Sequence, residues 1–126
     1  MKTEVLRGWL SVEQTSDLIA MMEEDDVSLH GTILAAGLTA MSRILQSDQS
    51  KEYPPSQTLN LRATNEANLR QYCPSGPRHG CLTTYYEGDY VVPPISDRQE
   101  FWRYAHELTV KHNSAKGNRE PLKLLR

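Results

Sequence analysis

The segment that most constrains this chain runs over residues 28–46. Leu29, Ile33, Ala36, Ala40, Met41 and Ile44 recur at spacings of three and four, the pattern of an amphipathic helix. Gly31, Ala35, Ala36, Gly37 and Ala40 keep much of its surface thin. A glycine at position 37, inside the helix, costs roughly 1 kcal/mol relative to alanine. Another element is therefore expected to approach closely there, and this helix is expected to be the most buried of the fold.

The flanking segments follow from their start and stop signals. Ser11-Val12-Glu13-Gln14 is a capping box, in which Ser11 accepts from the third helical amide while Gln14 reaches back. The helix it opens puts Leu18, Met21 and Met22 on one face. Glu23-Glu24-Asp25-Asp26 are unfavourable at a helix C-terminus and favourable before a new one, so a break is expected near Asp25. A polar linker over residues 47–56 leads to a strand over 57–61. A long connection over 63–77 follows, with a short helical turn expected at 66–71. Residues 81–86 alternate as a strand, Glu87-Gly88-Asp89 is expected to turn the chain, and Tyr90-Val91-Val92 forms a further short strand that Pro93-Pro94 ends. Ser96-Asp97-Arg98-Gln99 is a second capping box. Phe101, Tyr104, Ala105 and Leu108 then mark a helix to about residue 113, with Gly117 as its C-cap. The expected order is ααβ-loop-ββα, an α/β fold.

At 126 residues, a single domain over residues 1–126 is expected, with its core over about 10–113 and a tail over 114–126. The hydrophobic share of 38% implies a modest core. A net charge of −2 lacks the basic surplus that nucleic-acid binding needs. No run approaches the ~20 apolar residues of a membrane span, and the first seven residues lack the apolar core of a signal peptide. Two cysteines, Cys73 and Cys81, are too few for a disulfide scaffold. The expectation is a cytoplasmic chain without nucleic-acid or membrane partners.

Each candidate for chemistry has a plainer reading beside it. His106, Glu107 and His112 suggest a zinc helix, but a spacing of six turns the second histidine through about 240° at ~100° per residue. An exposed helix face is the plainer reading. Cys73, His79 and Cys81 lack the close ligand pair of a structural zinc site, so reduced cysteines beside a Pro/Gly turn are expected. There is no Gly-x-Ser-x-Gly elbow and no phosphate-cradling glycine loop. His30 reads as a packed first-turn histidine. Arg62 closes the strand Thr58-Leu59-Asn60-Leu61-Arg62, where a guanidinium is either paired with a carboxylate or a surface group.

Taken in order, several pieces carry a family resemblance. They are Leu10-Ser11-Val12-Glu13-Gln14-Thr15, Val27-Ser28-Leu29-His30-Gly31 with Ala35-Ala36, and Leu59-Asn60-Leu61-Arg62. Gly80 leading a strand and Phe101-Trp102-Arg103-Tyr104-Ala105 complete the set. The stretch from about residue 10 to 113 resembles the first part of the C-terminal lobe of the condensation-domain-like, CoA-dependent acyltransferases. These include alcohol O-acetyltransferases and nonribosomal-peptide condensation domains, built on the chloramphenicol acetyltransferase-like fold. The resemblance implies a two-lobed enzyme that moves an acyl group from a thioester to an alcohol or amine, with acyl-CoA as substrate and no permanently bound cofactor. In that family a His-His-x-x-x-Asp-Gly motif of the N-terminal lobe supplies the general base, and the arginine of the Asn-Leu-Arg strand pairs with the motif's aspartate. By match of motif, Arg62 inherits that structural role with Asn60 beside it, and His30 and Tyr85 would line the channel.

This chain departs from the family at its chemical centre. Its histidines are His30, His79, His106 and His112, and none stands in the motif. A general base contributes about 10²–10⁴-fold, so no catalytic residue is assigned and the chain is expected to be silent alone. Fragment, split enzyme and shrunken relative all remain open. The partner would be a separate N-terminal lobe or a second copy in a homo-oligomer. The alternative function is a non-catalytic interaction module that uses the exposed lobe face.

Overall fold

The structure, a computed structural model, describes residues 7–47, 54, 56–68, 70 and 83–117. Its elements are α1 (Val12–Glu24), α2 (Leu29–Ser47), β1 (Leu59–Asn68), β2 (Thr83–Val92) and α3 (Arg98–Gly117). Among the described residues the architecture is mixed α/β, with three helices and one two-stranded antiparallel sheet.

The expected capping box opens α1. Gln14 N donates to Ser11 Oγ at 3.1 Å, and Ser11 N donates to Gln14 Oε1 at 2.8 Å. α1 buries no residue fully, and Leu18, Met21 and Met22 rest partly against the core. The acidic run ends the helix through a Schellman turn. Val27 N donates to Met22 O and Asp26 N to Glu23 O, with Asp26 at φ 52°. That left-handed conformation is uncommon outside glycine, though aspartate tolerates it better than most residues. Val27 drops into the core behind the turn.

α2 packs on α3, but not through the face its periodicity suggested. The buried side is Gly31, Thr32, Ala35, Leu38, Thr39 and Ser42, whereas Leu29, Ile33, Met41 and Ile44 are exposed. α3 brings Trp102, Tyr104 and Leu108 to the same core cluster as Ala35 and Leu38 of α2. The close approach falls at Gly31, where a Cβ would stand 2.1 Å from Thr109 Oγ1 and 2.8 Å from Ala105 O. At Gly37, the glycine from which contact was expected, no other described residue lies within 4 Å of where a Cβ would stand. Ser28 locks the junction: its hydroxyl accepts from Gly31 N, while its own amide donates to Thr109 Oγ1 at 3.1 Å.

The ladder is longer than the sequence suggested. β1 and β2 pair over ten residues each, from Leu59 opposite Val92 to Asn68 opposite Thr83. Residues 66–68, expected in a helical turn, are strand, because Asn65 and Ala67 continue the inward alternation of Leu59 and Leu61. β2 runs straight through residues 87–89. Glu87 and Asp89 both face out, opposite Thr64 and Arg62, while Gly88 faces in. A Cβ at Gly88 would lie 2.5 Å from Tyr90 Oη, so the glycine makes room for the Tyr90 ring lying over the strand. That phenol accepts from Asn65 Nδ2 at 2.8 Å.

α3 begins one residue later than its capping signal implied. Asp97, not Ser96, accepts from Glu100 N at 2.8 Å, and Glu100 reaches back to Ser96 N at 2.8 Å. The helix continues to Gly117, through the first residues of the expected tail. Among the described residues, no helix is long and apolar enough to cross a membrane.

Candidate functional site

Where β2 meets α3 there is a groove of about 690 Å³. Tyr85, Tyr86, Tyr90, Lys111, His112 and Ala115 line it, with Thr64 and residues 87–89 completing its wall. The alternation of β2 sends Tyr86 and Tyr90 inward, while Tyr85 stays outside at 58% exposure. Lys111 closes one side. Its Nζ lies 4.3 Å from the Tyr90 ring centroid and donates to the Asp89 carbonyl oxygen, so the cation is both bonded and held over an aromatic face.

His112 is the centre of the cluster. It is only 5% exposed, stacked on His30 with centroids 3.8 Å apart, and its Nδ1 lies 2.5 Å from Tyr86 Oη. Burial, with His30 and Lys116 adding to it, lowers its pKa to about 4. The imidazole is thus neutral at pH 7, and with its proton assigned to Nε2 it accepts the phenol's hydrogen at Nδ1. Burial also lowers the pKa of His30, against a smaller raising influence of the Asn65 side chain. His30 Nε2 is buried without a hydrogen-bond partner among the described residues. Chemically, the cluster offers aromatic faces, a fixed cation and two imidazoles whose surroundings favour the neutral form.

The residues singled out from the sequence fall in three places. His30 lines a neighbouring hollow with Glu66, Ala67, Asn68, His112 and Lys116, while Tyr85 stands on the rim of the larger groove. His112 is shared by both hollows and Tyr86 is bonded to it, so the structure separates the two expected channel residues by a packed pair. Arg62 is in the interior of β1, not at its end, on the exposed face and directly opposite Asp89. Its Nε donates to Asp89 Oδ1 at 2.8 Å, and Nη1 lies 3.7 Å from Glu87 Oε2. The Arg62 hydrogen bond and charge hold the Asp89 carboxyl below its usual pKa. The guanidinium expected to reach an aspartate outside the chain therefore has one of its own, because the antiparallel register sets the two side chains face to face. Asn60 lies two residues away on the same outer face, opposite Val91.

Sequence reasoning missed His112, which it placed on an exposed helix face. The signal was present in Ala105, Leu108 and His112, whose spacings of three and four put them on one stripe of α3. Among the described residues, no three His, Cys, Asp or Glu side chains are grouped to hold a metal ion. Cys73, His79, Gly80 and Cys81 lie outside the described residues. No protein-family model, curated protein or solved structure matches the chain.

Proposed function

We propose that the chain is a non-catalytic α/β unit of condensation-domain-like acyltransferase ancestry. In this reading it is related to the lobe that scaffolds acyl transfer from a thioester to an alcohol or amine, and it does no such chemistry alone. The observation that carries the silence is that none of His30, His79, His106 and His112 stands in the family's His-His-x-x-x-Asp-Gly motif. A base works best with a pKa near the operating pH, whereas His112 is buried, bonded to Tyr86 and titrates at about 4. The ancestry is supported by the element order. Ser11 caps α1, His30-Gly31 open α2, Asn60-Leu61-Arg62 lie in β1, and Phe101-Trp102 lie in α3. Acyl-CoA would be a substrate only of a unit completed by a histidine-bearing lobe.

The test is thiol release from acetyl-CoA by the chain with simple alcohols and amines. The expected result is no release above buffer. Release that disappears on Arg62→Ala would overturn the claim of silence. One observation favours a second reading, a binding module: Leu29, Ile33, Met41 and Ile44 of α2 are exposed, while Leu38 faces the chain's own core.

A further inference from the structure

Of the chain's four methionines, two stand side by side in α1. This helix reaches the core through Leu18, Met21 and Met22, each of them half-buried. Two of those three side chains are thioethers, and the two are placed differently. Met21 Sδ accepts from Arg98 Nη2 at the start of α3. The Met22 carbonyl oxygen accepts from Val27 N, the bond that closes the turn between α1 and α2. Its side chain lines a hollow of about 360 Å³, together with Ile19, Glu23, Asp26, Val27, Thr109 and Asn113 among others. None of the described residues lining that hollow is a cation.

We propose that Met22 is a peroxide-sensitive catch, whose conversion to the sulfoxide releases α1 from the rest of the fold. The oxidant is hydrogen peroxide or an alkyl hydroperoxide. A lone pair of the sulfur attacks the terminal peroxide oxygen, and the S–O bond forms as the O–O bond breaks. The departing hydroxide or alkoxide takes the proton of the transferred hydroxyl. Sulfur loses two electrons, and the peroxide leaves as water or alcohol.

The product is a polar, chiral group where an apolar one was packed. Its oxygen is a strong acceptor, and packing it without a donor costs free energy. At Met21 the Arg98 guanidinium supplies that donor, so oxidation there is tolerated. At Met22 the oxygen faces a hollow that holds the carboxylates of Glu23 and Asp26, and like partial charges repel. α2 and α3 do not depend on this contact, because Ser28 and Thr109 join them directly. The loss therefore falls on α1 alone, as a shift of its local opening equilibrium.

The experiment is hydrogen–deuterium exchange of the full chain, read by mass spectrometry before and after treatment with hydrogen peroxide. Dithiothreitol follows the peroxide, returning cysteine disulfides to thiols and leaving methionine sulfoxides in place. The α1 amides are expected to exchange about ten-fold faster or more after oxidation, with those of α3 unchanged. Met22→Leu, a swap close in volume, should remove the response, and Met21→Leu should keep it. In the double variant Met41, 50% exposed on α2, is still there to be oxidised, and α1 should not respond. Sulfoxide at Met22 with unchanged α1 exchange overturns the proposal. So does a Met22 that stays a thioether while Met41 is oxidised. A response that survives Met22→Leu overturns the assignment to that residue.

Discussion

Two glycines on one helix show how differently the same residue acts. Gly31 sits against Thr109 and the Ala105 carbonyl, whereas Gly37 has no neighbour within 4 Å of a Cβ among the described residues. Gly31→Ala should destabilise the chain by about 2 kcal/mol, since backbone as well as side chain must move. Gly37→Ala should stabilise it by up to about 1 kcal/mol. Urea denaturation in dilute solution checks both, and equal effects would remove the contact argument. In the sequence the two glycines are equivalent, because periodicity locates a helix without choosing which of its faces is covered. Arg62 was similarly half legible. Its need for a carboxylate follows from its chemistry, but Asp89 becomes its partner only through the register of the ladder.

At the scale of elements, all three helices were legible, and their ends were legible where one residue had one role. Ser11 and Gln14 form the expected box, whereas at the third helix Ser96 and Asp97 compete and the aspartate wins. The ladder was less legible. The alternation of β1 carries Asn65 inward, and polar residues at core positions obscure a period of two until Tyr90 supplies the partner. The α1–α2 junction offers a direct check. Asp26 holds a left-handed conformation that glycine adopts without a steric cost. Asp26→Gly should raise stability by about 0.5–1 kcal/mol, read as a higher thermal midpoint. A lower midpoint would mean that the carboxylate contributes more than its backbone conformation costs.

Across the whole molecule, the stacked histidines tie α2, α3 and β2 together through His30, His112 and Tyr86. In the unfolded chain His112 takes a proton near 6.5, in the folded chain only at about 4. Between those values the unfolded state binds more protons, so the stabilisation is complete above pH 6.5 and is lost as pH falls toward 4. The lowered pKa of His30 acts in the same direction. The loss should reach on the order of 2 kcal/mol, visible as a falling urea midpoint between pH 7.5 and 4.5, and His112→Phe should flatten the profile. A profile unchanged by that substitution would place the acid sensitivity elsewhere. A different consequence follows from α1, which buries no residue fully and hands Val27 to the core only after its own last turn. Little apolar surface is exposed when that helix unravels, so it can open and reclose while the ladder and the α2–α3 pair stay intact. The molecule therefore has two stabilities, a low one for its first helix and a higher one for the α2–α3 pair and the ladder.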